Sequence, residues 1–139
     1  MVTITATYTG DLHTTATHGP SGATLSTDAP KDNHGLGQSF SPTDLVATAL
    51  ATCTITVMGI VAKRDGIPME GTKATVVKGM QNVPVRRIAS LPIAIEVPGR
   101  LTAEQKRKLE AAARSCPVLA SLHPEIQAPL TFTYPGDAR

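Results

Sequence analysis

Residues 41–66 read SPTDLVATALATCTITVMGIVAKRDG, and the way this run folds decides the architecture around it. Ser41 is a good helix N-cap, Pro42 suits the first helical position, and Asp44 completes a pair resembling a capping box. Lys63 and Arg64 precede Gly66, a favoured stop residue. The spacing predicts a helix over 42–65, about 36 Å long at about 1.5 Å per residue, close to the diameter of a domain this size. From Leu45 to Ala62 it carries no charge, and a helix apolar around its circumference is expected to be buried on all sides. Its Thr, Val and Ile residues are poor helix formers, so packing has to compensate.

A run this long also reaches the lower limit for a membrane span. Against that reading, Thr48, Thr52, Thr54 and Thr56 dilute its hydrophobicity, no aromatic belt flanks it, and the remaining chain reads as a soluble sheet. A buried soluble helix is the simpler reading, and no membrane partner is expected.

Working outward, residues 2–9 (VTITATYT) are mostly β-branched, and 12–17 (LHTTAT) resume the pattern after Gly10-Asp11, a two-residue hairpin turn. A turn at 18–22 leads to a short strand over 23–27, and residues 28–40 form the longest loop. Beyond the helix, TKATVVKGM and VRRIASLPIAIEVPG read as strands broken or edged by Pro84, Pro92 and Pro98. Thr102 to Gln105 is a second capping box, opening an amphipathic helix to about Arg114. Cys116 to Leu122 is a short helix with Pro at its first turn, and 126–134 is a closing strand. Strands before, between and after helices without regular βαβ spacing predict an α+β domain: a long central buried helix packed on a mainly antiparallel sheet.

The 139 residues are enough for one domain spanning 1–139 and one core. With no Trp, two Phe and two Tyr, the core and any pocket must be aliphatic. A formal charge of +2 and few aromatics leave nothing for bases to stack on, so nucleic acid is not an expected partner. The opening MVTITATYTG has neither a basic start nor the apolar stretch of a secretory signal, and the expected location is cytoplasmic. In that reducing setting Cys53 and Cys116, far apart and in no CxxC pair, are not structural staples.

Two readings of Cys53 stand side by side. It shares a helix face with Val46, Ala49, Leu50, Val57 and Ile60, where a thiol is most often a small inert core residue with a raised pKa. Cys116 differs, because the Cys-Pro step sets its sulfur at a helix start, where unpaired N–H groups favour thiolate. His13, His18, His34 and His123 lack metal-ligand spacing to either cysteine, so no metal is expected. No GxSxG, GxGxxG or P-loop pattern occurs.

The combination of SPTDLVATALATC opening a long helix and RSCPVLASL following a second one resembles the OsmC/Ohr family, the osmotically inducible and organic hydroperoxide resistance proteins. The order of elements agrees over nearly the full chain. The resemblance implies an intertwined homodimer with two active sites at the subunit interface, and a thiol-dependent redox protein that reduces organic hydroperoxides. Carried over by motif position, Cys53 attacks the O–O bond to form a sulfenic acid, and Cys116 condenses with it to a disulfide. It further implies no bound cofactor, an external dithiol reductant of lipoyl type, and an apolar pocket lined by residues such as Leu50, Val57 and Met58.

Family peroxidases pair an N-terminal arginine with a glutamate ten residues before the first cysteine. Here that position is Thr43, beside Asp44, and no arginine precedes Arg64. His13 and His18 fall in the segment where the arginine would lie, and are the candidates for stabilising the thiolate. The alternatives are an OsmC-fold dimer that binds a small apolar ligand in the same pocket without peroxide turnover, and a protein whose cysteines are structural.

Overall fold

The computed structural model describes residues 1–138. The chain divides into two compact units, Met1–Val46 and the remainder from Ala47.

The N-terminal unit is an antiparallel meander of β1 (Ile4–Gly10), β2 (His13–His18) and β3 (Thr24–Asp28). The hairpin turn falls one residue later than the sequence implies. Asp11 and Leu12 are its central residues, with φ of 51° and 62°, while Gly10 pairs with His13. A register shift between Tyr8 and Gly10 precedes the turn, and two left-handed central residues match the twist that a tight hairpin needs. Phe40 O accepts the Asp28 N–H at 3.1 Å, tying the two ends of the 28–40 loop together.

The helix α1 (Pro42–Asp65) has the bounds its caps predict. Asp44 N–H donates to Ser41 Oγ at 3.1 Å and Ser41 N–H to Asp44 Oδ2 at 2.9 Å, a reciprocal box. At the other end Gly66 takes φ of 66° and Ile67 N–H reaches back to Ala62 O at 2.9 Å. The expectation of burial on all sides does not hold for the single chain. Leu50, Thr54, Met58 and Ala62 form one fully covered stripe, while Thr52, Thr56 and Ile60 are exposed. The threonines are accommodated because their hydroxyls donate to carbonyls one turn back: Thr52 to Thr48, Thr54 to Leu50, and Thr56 to Thr52. By length and composition alone, α1 could also cross a membrane.

From Ala47 onward the core is built on β7 (Ile93–Glu96), which pairs antiparallel with β4 (Lys73–Val76) and parallel with β8 (Leu130–Thr133). Ile93 and Ile95 point inward and Ala94 and Glu96 outward, the alternation of a sheet with one covered face. A second pair joins β5 (Gly79–Gln81) to β6 (Arg87–Ser90). The amphipathic helix α2 (Ala103–Arg114) starts at a complete capping box between Thr102 and Gln105 and buries Leu109, Ala112 and Ala113. A five-residue helix, α3 (Pro117–Ser121), follows directly. The architecture is mixed α+β with mainly antiparallel pairing, as the sequence predicts.

Candidate active site

Cys53 is held on α1 beside the buried stripe, with Leu50 a turn before it and Val57 a turn after. Cys116 is placed by the break between α2 and α3. Ser115 closes α2, its N–H and hydroxyl both donating to Ala112 O. Cys116 then turns to φ −54°, ψ 123° as the N-cap of α3, with Pro117 supplying a first residue that needs no hydrogen-bond acceptor. Its sulfur accepts the Leu119 N–H at 3.5 Å.

These two placements bring the thiols near enough for each to shift the ionisation of the other. Both are free; Cys53 is partly exposed and Cys116 is fully buried. Burial pushes the Cys53 thiol above its ordinary range; the Val118 N–H pulls the other way, and the neighbouring Cys116 adds to the rise. Burial acts on Cys116 in the same sense but is outweighed. The Leu119 N–H, Cys53, the Thr54 hydroxyl and the Val118 N–H all favour its anion and bring its pKa below the ordinary value.

Leu50 and Met58 are fully buried, while Val57 lines an open groove of about 500 Å³ with Ile60, Val61 and Ala111. Arg64 and Lys108 stand at this groove and both bind Asp65. Those contacts, Arg64 first, hold the Asp65 carboxyl at about 2.

The two histidines lie in the N-terminal unit with partners there. His13 Nδ1 donates to Asp11 O at 2.7 Å, and Nε2 stands 3.2 Å from Gln38 Oε1 and 3.5 Å from the fully buried Asp28 carboxylate. Burial lowers the His13 pKa, but the bonds to Asp11 and Gln38 and the Asp28 charge leave it raised. His18 Nδ1 is 2.5 Å from Ser21 Oγ and accepts the Ser21 N–H. At the position of the family glutamate, the Thr43 hydroxyl lies 3.1 Å from Ser41 Oγ, and Asp44 is engaged in the helix cap. Among the described residues, no three His, Cys, Asp or Glu side chains gather as a metal site.

Sequence reasoning missed Thr54, which it treated only as a diluent of hydrophobicity. The available signal was its place one residue after Cys53 and four after Leu50, on the stripe that continues to Met58 and Ala62. The backbone N–H groups expected beside Cys116 from the Cys-Pro step are those of Val118 and Leu119.

The model of the OsmC-like protein family matches residues 35–130, which include both cysteines. The chain belongs to the OsmC-like family. Among solved structures it is similar to a Psychrobacter arcticus 273-4 protein provisionally named an osmotic stress induced and detoxification response protein. The identity there is 42%, the TM-score 0.89, and 96% of each chain is covered. It is also similar to an organic hydroperoxide resistance protein from Elizabethkingia anophelis, at 22% identity and a TM-score of 0.74, covering 96% of this chain and 97% of that one. OhrB of Bacillus subtilis follows at 18% identity and a TM-score of 0.67, covering 96% and 98%. At such identities the last two establish the fold alone. No curated protein matches the chain.

Proposed function

We propose that this OsmC-like protein is a dithiol peroxidase for small organic hydroperoxides. The observation that carries the reading is a pair of free thiols near enough to influence each other's ionisation, one partly exposed and one sheltered. Attack by the Cys53 sulfur on the hydroperoxide transfers one oxygen and releases an alcohol. Cys116 then displaces hydroxide from the sulfenic acid, closing a disulfide. A neighbouring sulfur is the natural partner for that second step. Return to the dithiol needs two electrons from an external dithiol, for which a lipoyl group has the right chemistry, and the chain itself requires no resident cofactor. A reducing cytoplasm is the setting in which such a cycle can run.

The working unit in this reading is a homodimer. Support comes from α1, which is chargeless from Leu45 to Ala62 yet leaves Thr52, Thr56 and Ile60 uncovered in the single chain. A second copy would cover that face with protein, making a soluble dimer core the alternative to a membrane span.

A second reading, apolar-ligand binding without turnover, is favoured by one feature. The influences on Cys53 raise its pKa, and neither Thr43 nor any arginine before Arg64 supplies the family pair. Turnover separates the two. Supplied with an alkyl hydroperoxide and excess dithiol, the protein is expected to generate the alcohol catalytically, with activity abolished in Cys53→Ser; saturable hydroperoxide binding with no alcohol produced establishes the second reading instead.

A further inference from the structure

His13 opens β2 directly opposite Asp28, the last residue of β3, and Gln38 from the returning end of the 28–40 loop meets both. Both ring nitrogens of His13 face oxygen acceptors. The partner of Nδ1 is the Asp11 carbonyl at 2.7 Å, which only accepts, so Nδ1 carries a hydrogen. A neutral ring would then present a bare Nε2 lone pair to Gln38 Oε1 at 3.2 Å and Asp28 Oδ1 at 3.5 Å. Turning the Gln38 amide would give Nε2 a hydrogen but no counter-charge to the carboxylate. Asp28 is 0% exposed; its Oδ2 accepts Gln38 N–H at 3.0 Å, and its Oδ1 is buried with no hydrogen-bond partner. A buried carboxylate of this kind needs a cation beside it, and the His13 ring is in place to carry one. Asp11 faces the ring from the turn and Asp28 from β3, both acidic, the loop contributes the neutral Gln38, and the Tyr8 hydroxyl of β1 is engaged by Leu12 N–H at 3.3 Å. Burial lowers the His13 pKa, and the bonds to Asp11 and Gln38 with the two acidic charges more than offset it.

We infer that the His13 imidazolium latches the 28–40 loop onto the β-meander: while charged it holds Gln38 and Asp28 together, and on losing its proton it frees the 36–38 segment and admits water to the Asp28 carboxylate. An uncompensated buried carboxylate is stabilised by hydration, and the lowest-cost opening moves what lies over it; residues 36–39 are exposed loop. The release is local. Phe40 O accepts Asp28 N–H at 3.1 Å and Ser39 Oγ donates to Ser26 O at 3.0 Å, so the loop stays anchored at its base, and Ser41, the N-cap of α1, lies beyond these anchors. What the latch governs is the binding of the Gln38 and Leu36 N–H groups to the Asp28 carboxylate. The latch is complete below the unfolded imidazole value of about 6.5 and opens as pH rises through the higher folded value. Neither thiol takes part, so the latch holds or fails independently of the peroxidase reading.

Two measurements on the full-length chain test this over one pH series, from about pH 5 to about pH 9, which spans the charge change of imidazole. Nitrogen-15 NMR of the histidine rings should show both His13 nitrogens protonated at the acidic end and only Nε2 losing its hydrogen as pH rises. Amide hydrogen exchange, corrected for the intrinsic pH dependence of free amides, should show Leu36 and Gln38 losing protection several-fold through that titration while the paired amides of β1 and β2 keep theirs. His13→Gln retains a hydrogen-bonding side chain without the charge, and should leave Leu36 and Gln38 weakly protected at every pH. A His13 midpoint at or below the unfolded value of about 6.5 overturns the inference, as does loop protection that is the same on both sides of the titration or unchanged in His13→Gln. Equal loss of protection in β1 and β2 means that the meander opens as a whole, and contradicts a latch as firmly. Should His13→Gln fail to fold, the parent series decides alone, since ring charge and amide protection are both read there.

Discussion

Replacing Ile60 by Asp tests whether a second copy covers α1. Ile60 is 63% exposed in the single chain, so an isolated chain should hardly register the change. In a two-fold dimer the same residue is covered twice. Burying a whole Ile side chain is worth about 1.5–3 kcal/mol, and scaling by the exposed fraction leaves about 1–2 kcal/mol per copy. Two copies lose about 2–4 kcal/mol of apolar burial, and an unpaired carboxylate forced into the interface adds its own desolvation cost. A total near 4 kcal/mol corresponds to about a thousandfold weaker association. Sedimentation velocity over a dilution series measures this directly, with far-ultraviolet circular dichroism as the check that each chain stays folded. A variant that self-associates as tightly as the parent, or a parent that is monomeric throughout, would refute the reasoning.

Three further outcomes follow from single contacts. Leu109→Ala, at a fully buried site on α2, should cost about 2–5 kcal/mol in denaturant unfolding; a loss below about 1 kcal/mol would mean the α2 face is not packed as described. Thr102→Ala removes a side-chain acceptor for Gln105 N–H at 3.1 Å and should cost about 1 kcal/mol, or roughly 3–4 °C in Tm, with Thr102→Ser restoring most of it. His13 has a raised pKa in the folded chain, so its contribution to stability is complete below the unfolded value of about 6.5 and is lost as pH rises through the folded value. His13→Gln should therefore flatten the alkaline decline in stability, and an unchanged pH profile would dissociate His13 from the Asp28 charge.

What the sequence made legible was local chemistry. The bounds of α1 and the start of α2 followed from caps whose donors and acceptors lie within five residues of each other. The N-cap place of Cys116 followed from the Cys-Pro step. What it hid depends on contacts distant along the chain. The cover over α1 is one stripe because the rest of a single chain supplies packing for only one face, and a chargeless run cannot reveal how many neighbours it will have. The hairpin turn moved to Asp11-Leu12 because the Gly10–His13 pairing fixes the register, and Leu at φ 62° runs against its local preference. The closing strand expected over 126–134 is regular only over Leu130–Thr133, with Gln127 pairing separately with Ser90 as an isolated parallel bridge, because Pro129 has no N–H to continue the ladder between them. Both cysteines were legible as candidates. So was the direction of their different ionisation, from the apolar face around Cys53 and the Cys-Pro step before α3, whereas the influence of Thr54 was not.

The central claim is that Cys53 and Cys116 form one redox unit, and a thiol titration tests it most directly. Reduced protein mixed with an equimolar alkyl hydroperoxide should lose both of its thiols, release one alcohol per hydroperoxide, and yield a Cys53–Cys116 disulfide recognisable in a peptide digest. Cys53→Ser should leave Cys116 reduced under the same conditions. A parent protein that retains both thiols while the hydroperoxide persists would contradict the account.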